Sequence, residues 1–136
     1  MSQDGPVSAH GAGVKGATQF GSNLAYGFGR SNCAANCFDN YTSLIIDLGV
    51  PTFVSTISFD YMELFENWGS YGKIYLDGVE LSAGRDFQGI PSNGHVPDTA
   101  PTSGVWSVNR AVTNVELRVA DITNLSEIYI DNLIIQ

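Results

Sequence analysis

The stretch TISFDYMELFENWGSYGKIYLDGVEL, residues 56–81, decides the fold that the sequence predicts. Its first part alternates, so that Ile57, Phe59 and Tyr61 point to one side of an extended chain and their neighbours point to the other. This period of two predicts a half-buried β-strand. Its last part places Asp77-Gly78 between two apolar runs. That pair is typical of a tight β-hairpin, because a type I′ turn needs a positive φ at both central residues.

The ten residues between these strands, 63–72, form an aromatic loop that also carries two carboxylates and two glycines. Loops that a rigid sheet positions often hold binding sites. Trp68 and Tyr71 are flat rings, and the apolar C–H face of a sugar could stack on them. The same residue types also close the ends of β-sandwiches, so packing in the core is the alternative role.

Short apolar runs separated by turn residues continue through the rest of the chain, and no run has the period of an amphipathic helix. The triplet Gly49-Val50-Pro51 is expected to end a strand, and the proline-rich segment 91–104 is expected to be irregular. This pattern predicts an all-β protein, an antiparallel β-sandwich. We expect a loose leader at 1–12 and a single domain over 13–136. Strands are expected at 13–20, 41–48, 105–108, 115–119 and 127–135.

The composition excludes some classes of partner. The net charge is −8, and the six Lys and Arg residues are scattered along the sequence. We therefore expect no binding to nucleic acid, which depends on neutralising phosphates. No apolar run approaches the ~20 residues of a membrane span, so no membrane insertion is expected. The sequence shows no signal peptide, and we expect a mature module excised from a larger secreted chain.

The two cysteines, Cys33 and Cys37, have three residues between them. This is not the usual spacing of a zinc-binding pair, and the sequence contains no second pair. We expect a small disulfide loop, which indicates an oxidising compartment. Closing so short a loop would contribute about 2 kcal/mol in the chain-entropy model. Two free thiols are the alternative.

The final run EIYIDNLII, residues 127–135, resembles the closing strand of jelly-roll carbohydrate-binding modules of the galactose-binding-like β-sandwich superfamily. The runs 58–61 and 72–79 also resemble the paired strands of these modules. The resemblance extends from Thr56 onward and is specific to the architecture rather than to one family. It implies a jelly-roll type of sandwich. Extracellular modules with other ligands share this architecture, so the fold alone does not define the function.

The resemblance also implies a structural calcium ion. In many such modules an acidic residue of the last strand ligates calcium, and the matching residue here is Asp131. A carboxylate among apolar neighbours is costly to bury unless it is paired or bound to a metal. A second group rich in oxygen ligands, the kind that calcium prefers, consists of Asp121, Asn124 and Glu127. The alternative role of Asp131 is to cap backbone N–H groups at a bend of the strand.

Catalysis is not expected from this sequence. It contains no Gly-x-Ser-x-Gly motif, and His10 and His95 are its only histidines. A glycosidase needs two carboxylates across a cleft. Asp60 and Glu63 would face opposite sides of a strand that ran through both residues.

We therefore expect a non-catalytic carbohydrate-binding module that is extracellular and of bacterial origin, and whose partner is a polysaccharide or glycan. The alternatives are a structural or adhesive module of an extracellular surface protein and, third, a small glycan-active enzyme. The predicted stacking residues are Trp68 and Tyr71, with Trp106 and Tyr75 as second-rank platforms. The predicted partners of sugar hydroxyls are Asp60, Glu63, Glu66 and Asn67.

Overall fold

The computed structural model of the protein describes residues 2–4, 13–16, 20, 24–28, 41–65, 71–89, 97–120 and 126–136. These residues contain no helix that is long and apolar enough to cross a membrane. They form nine β-strands: β1 (Ser2–Asp4), β2 (Gly13–Gly16), β3 (Leu24–Gly27), β4 (Tyr41–Phe65), β5 (Tyr71–Leu76), β6 (Val79–Glu80), β7 (Phe87–Gln88), β8 (Thr102–Ala120) and β9 (Ser126–Ile135).

The two longest strands, β4 and β8, form an antiparallel ribbon that runs through the whole molecule, beginning with Tyr41 opposite Ala120. The register of this ribbon shifts twice within residues 47–56 of β4. In the same region Gly49 and Asn109 adopt positive φ angles of 84° and 53°. A register shift leaves extra residues in one strand of a pair, and such residues bend the strand and increase its twist. The ribbon therefore bends, and its two halves belong to different layers.

Each half of the ribbon is the centre of one sheet. In the first sheet, the early half of β4 and the late half of β8 are flanked by β1 on one side and by β5, β6 and β7 on the other. In the second sheet, the late half of β4 and the early half of β8 continue into β9, β3 and β2. Every pairing is antiparallel. The protein is an antiparallel β-sandwich of jelly-roll type, as predicted.

One apolar core lies between the two sheets. Leu117 of the first sheet belongs to the same buried cluster as Ile57 and Phe59 of the second, and each is at most 2% exposed. Removing apolar surface from water contributes roughly 25 cal/mol per Å², so this cluster is the main source of stability. A second, smaller cluster lies outside it and consists of Phe20, Ala25, Met62 and Tyr129.

The predicted alternation and hairpin are confirmed. Leu117 of β8 is buried, whereas its neighbours Glu116 and Arg118 are half-buried on the outer face. At the turn between β5 and β6, Asp77 and Gly78 have φ angles of 50° and 80°, the positive values that a type I′ turn requires.

Two predicted boundaries are wrong. Gly49-Val50-Pro51 does not end the strand, because the chain stays extended through the bend, where the Gly49 N–H donates a hydrogen bond to Asp47 Oδ1 at 2.8 Å. β8 begins at Thr102, so the predicted irregular segment 91–104 extends too far. The turn residues at 49–51 coincide with the bend of β4, whereas residues 102–104 are held in β8 by pairing with residues 59–61 of β4.

Candidate functional site

The outer face of the first sheet carries a set of aromatic and cationic side chains. We call this set the tyrosine–arginine face; β4, β8 and β5 lie side by side there, so Tyr41, Ala120 and Tyr71 occupy one row across the sheet. Because side chains alternate along a strand, every second residue of β5 and β8 adds to the same face. Its members are Tyr41, Tyr71, Lys73, Tyr75, Arg85 and Arg118.

Arg118 lies at the centre of the tyrosine–arginine face, between two tyrosine rings. Its Cζ atom is 4.6 Å from the centroid of Tyr41 and 4.0 Å from that of Tyr75. Its Nε and Nη2 atoms donate hydrogen bonds to the two carboxylate oxygens of Glu116, at 2.6 and 3.2 Å. Contacts between a guanidinium and an aromatic ring contribute about 0.5–2 kcal/mol each. The two rings and the guanidinium are therefore held in a fixed arrangement.

Arg118 carries a positive charge, as arginine does throughout the physiological pH range. The hydrogen bond to Glu116 raises the pKa of Arg118, against the opposing effect of burial. A shallow depression of about 30 Å³ lies over this part of the sheet, lined by Tyr41, Tyr71, Lys73, Tyr75, Arg118 and Ala120.

Tyr71, a predicted stacking residue, lies on this face but is 3% exposed. The guanidinium of Arg85 covers its ring, with Cζ 4.2 Å from the ring centroid. Burial raises the pKa of Tyr71, because the charged phenolate form would lose its contacts with water. The exposed surface at this position is thus the cation of Arg85 rather than the ring of Tyr71. At the neighbouring position, Lys73 Nζ pairs with Glu80 Oε1 at 3.1 Å.

Trp106, predicted as a further platform, lies on the core side of β8. Its indole stacks on Phe59, with ring centroids 4.5 Å apart and an angle of 27° between the planes. Tyr61 and Phe87 complete this aromatic group. Gly104 is on the same side, and a Cβ there would overlap the indole, so the ring fits only because the residue is glycine. Trp106 therefore packs at the border of the core.

Asp60 and Glu63 lie on opposite faces of β4, as the alternation predicts. Asp60 is on the outer face of the second sheet, where it accepts hydrogen bonds from Ser103 Oγ at 2.6 Å and from Asn132 Nδ2 at 2.9 Å. Glu63 is fully buried, and its N–H donates to Asp98 Oδ2 at 2.9 Å. The carboxylates of Asp60 and Glu63 thus do not share a cleft, as the acid and base of a glycosidase would.

The metal candidates of the last strand are separated from one another. Asp131 lies opposite Asp60 in the sheet, and with Asn132 it lines a mainly apolar cavity of about 320 Å³. Glu127 is 1% exposed and lies opposite Leu64. Across the described ranges, no group of three or more His, Cys, Asp or Glu residues is placed to hold a metal ion. The side chains of Asp131 and Glu127 alone therefore do not supply the roughly six to eight oxygen ligands that calcium requires.

Several predicted site residues lie outside the described residues. They are the loop residues Glu66, Asn67 and Trp68, the metal candidate Asp121, and the cysteines Cys33 and Cys37.

Sequence reasoning missed Tyr41 and Arg118 as site residues and ranked Tyr75 second. Arg118 was recognisable as an outward residue of a strand. Its position between Tyr41 and Tyr75 depends on β8 lying between β4 and β5, which are consecutive in sequence but are not paired with each other. Local patterns contain no signal for that strand order.

Comparison with known proteins gives a fold but no family. No protein-family model matches the chain, and no curated protein matches it. The chain is similar to the K3 cleaved adhesin domain of Lys-gingipain from Porphyromonas gingivalis W83, with a TM-score of 0.55 and 15% identity over 86% of this chain and 75% of that one. This likeness establishes the shared β-sandwich fold alone.

Two further solved structures are more distantly similar. One is a carbohydrate-binding module, CBM36, in complex with calcium and xylotriose, with a TM-score of 0.43 and 16% identity over 100% of both chains. The other is the catalytic domain of Agl-KA, with a TM-score of 0.44 and 13% identity over 99% of this chain and 27% of that one.

Proposed function

We propose that the chain is a non-catalytic carbohydrate-binding module that binds a glycan on its tyrosine–arginine face. The observation that carries this proposal is the arrangement of Arg118 between the half-buried rings of Tyr41 and Tyr75. Contacts to both rings and to Glu116 hold the guanidinium in place before any ligand is present. Groups that are already ordered lose little conformational freedom on binding, which favours affinity.

The chemistry of this face suits a sugar. A sugar ring has an apolar C–H face that packs on aromatic rings and a rim of hydroxyls that need hydrogen-bond partners. Tyrosine hydroxyls, the guanidinium and the carboxylate of Glu116 supply both donors and acceptors at the edge of the rings. The cavity beside Asp131 has a mainly apolar lining, which suits a hydroxyl-rich ligand less well.

The loop residues remain part of the proposal. Trp68 precedes Tyr71 by three positions, so the segment 66–70 leads directly into the row that holds Tyr41 and Tyr71. We expect Trp68 to extend the stacking surface and Asn67 and Glu66 to contact sugar hydroxyls. The low share of charged residues, 15%, and the 15 glycines support an extracellular module, and we propose that it belongs to a larger secreted bacterial protein.

The test is affinity electrophoresis of the purified protein through gels that contain one polysaccharide each. We expect retardation on at least one polysaccharide, and we expect Tyr75→Ala to reduce the affinity about tenfold or more. Val105→Ala is the matched control, because Val105 is 70% exposed on the outer face of the second sheet. Loss of retardation in Trp68→Ala but not in Tyr75→Ala would place the site on the loop and contradict the sheet-face proposal.

The same gels test the proposed calcium. The gels are repeated with calcium and with EDTA, and a melting curve is recorded under each condition. The comparison shows whether bound calcium stabilises the fold. A lower melting temperature in EDTA supports a structural calcium near Asp131, and identical curves contradict it.

An adhesive module that binds protein is the second candidate. Its support is the outer face of the second sheet, where Val105 and Ile134 flank Ser58 and are 70% and 50% exposed. Exposed apolar side chains that neighbour one another favour contact with another protein. Failure of every polysaccharide to retard the wild-type protein would favour this candidate over the glycan-binding module.

A further inference from the structure

We infer that the glycan bound by the tyrosine–arginine face is anionic; this inference rests on the proposed function. The chain has a net charge of −8 and only six Lys and Arg residues. Three of them, Lys73, Arg85 and Arg118, lie on this one face. Three carboxylates lie beside these cations, so the face is close to neutral on an otherwise acidic molecule; they belong to Glu80, Glu116 and Asp86.

Arg85 is the cation that is available to a ligand. Lys73 and Arg118 are each paired with a glutamate, at 3.1 and 2.6 Å. Arg85 makes no such ion pair within the described part of the chain; its guanidinium lies on the Tyr71 ring and donates one hydrogen bond to Gln88 Oε1 at 3.1 Å. These two contacts orient the guanidinium without neutralising its charge, and the residue is exposed.

The geometry of a guanidinium determines which groups it binds well. Its planar set of N–H donors matches the two oxygens of a carboxylate or of a sulfate, and it forms two parallel hydrogen bonds with either. One N–H of Arg85 is engaged with Gln88, which leaves the others for a ligand. Arg85 contacts Tyr71, which lies four residues from Tyr75 on the same face of β5. An acidic glycan that stacks on Tyr75 and extends along β5 would therefore reach Arg85.

The charge of the rest of the molecule makes this placement selective. An acidic protein repels a polyanion over most of its surface, so a polyanion approaches where the local potential is positive. The exposed guanidinium of Arg85 provides such a point on the tyrosine–arginine face. Carboxylated sugars such as uronates and sulfated sugars share the required chemistry.

The test compares three probes by affinity electrophoresis: polygalacturonate, dextran sulfate and neutral xylan. We expect retardation on polygalacturonate or dextran sulfate, and the gel that responds identifies the anionic group. Arg85→Gln is expected to weaken binding to that glycan about tenfold or more. The matched control is Arg110→Gln, which removes the same charge from an exposed residue near the bend and is expected to leave binding nearly unchanged. Near-UV circular dichroism verifies that both variants keep the fold.

The outcomes separate this inference from the proposed function. One outcome is retardation on xylan alone that is unaffected by Arg85→Gln and lost in Tyr75→Ala. That outcome overturns the inference that the glycan is anionic, but it supports glycan binding on the tyrosine–arginine face. An equal loss of binding in Arg85→Gln and Arg110→Gln also overturns the inference, because the attraction would then depend on total charge rather than on Arg85. No retardation of the wild-type protein on any of the three probes or on the wider panel contradicts the proposed function itself.

Discussion

Gly72 in β5 lies directly beneath the ring of Phe87. A Cβ atom at position 72 would overlap three carbons of that ring, so the close approach of the two strands depends on the missing side chain. The Phe87 ring in turn packs against Phe59, with centroids 5.0 Å apart. The sequence marks Gly72 only as part of a flexible loop, because a contact with a residue 15 positions away leaves no local signal.

Replacing this glycine therefore tests the packing at the scale of one residue. We predict that Gly72→Ala lowers the free energy of unfolding by about 1–3 kcal/mol, since the phenyl ring must move in a close-packed core. Urea denaturation followed by fluorescence measures the change. Gly84→Ala is the control, because a Cβ there has no atom within 4 Å. Equal losses in the two variants would contradict the packing described for β5 and β7.

At the scale of elements, the β5–β6 hairpin is attached to β8 by the side chain at its turn. Asp77 Oδ1 accepts hydrogen bonds from the backbone N–H groups of Thr113 and Asn114, at 2.9 and 2.8 Å. The Asp77 N–H also donates to the carbonyl oxygen of Asn114 at 3.0 Å. The Asp-Gly pair predicts the turn correctly, but the connection to β8 is a tertiary contact that the pair does not encode.

We predict that Asp77→Ala destabilises the protein by about 1–3 kcal/mol, because two backbone donors lose a charged acceptor and alanine tolerates the positive φ poorly. Asp77→Asn keeps an acceptor oxygen and a residue type suited to that conformation, so its loss should be clearly smaller. Thermal unfolding by calorimetry compares the two. If Asn is as harmful as Ala, the carboxamide oxygen does not replace the carboxylate, and the proposed role of the turn in joining the hairpin to β8 fails.

The sequence predicts the individual strands better than it predicts the contacts between them. Alternation along β4 and β8 correctly gives inward Ile57, Phe59 and Leu117 and outward Asp60 and Arg118. Each strand carries this information locally, because burial of one face leaves a period of two in the sequence. The joining of predicted strands into one bent ribbon could not be predicted, since it depends on pairing between β4 and β8 across long stretches of chain.

At the scale of the whole molecule, strand order determines the candidate site. Tyr41, Arg118 and Tyr75 come from three strands far apart in sequence and meet because β8 lies between β4 and β5. The sequence placed the binding surface on an aromatic loop, and Tyr71 of that loop does lie on the tyrosine–arginine face, beneath Arg85. The total charge was equally uninformative about this face, because a chain of net charge −8 concentrates half of its Lys and Arg residues there.

The central claim is that the tyrosine–arginine face binds a glycan, and an NMR titration of the ¹⁵N-labelled protein tests it most directly. Trigalacturonate is the first probe, and xylotriose is the neutral probe. We predict that the amide signals that shift with either probe belong to β4 near Tyr41, to β5 and to the late half of β8, in a saturable manner. Saturable shifts confined to the second sheet around Asp60 and Ser103, or no shifts with either probe, would contradict the claim.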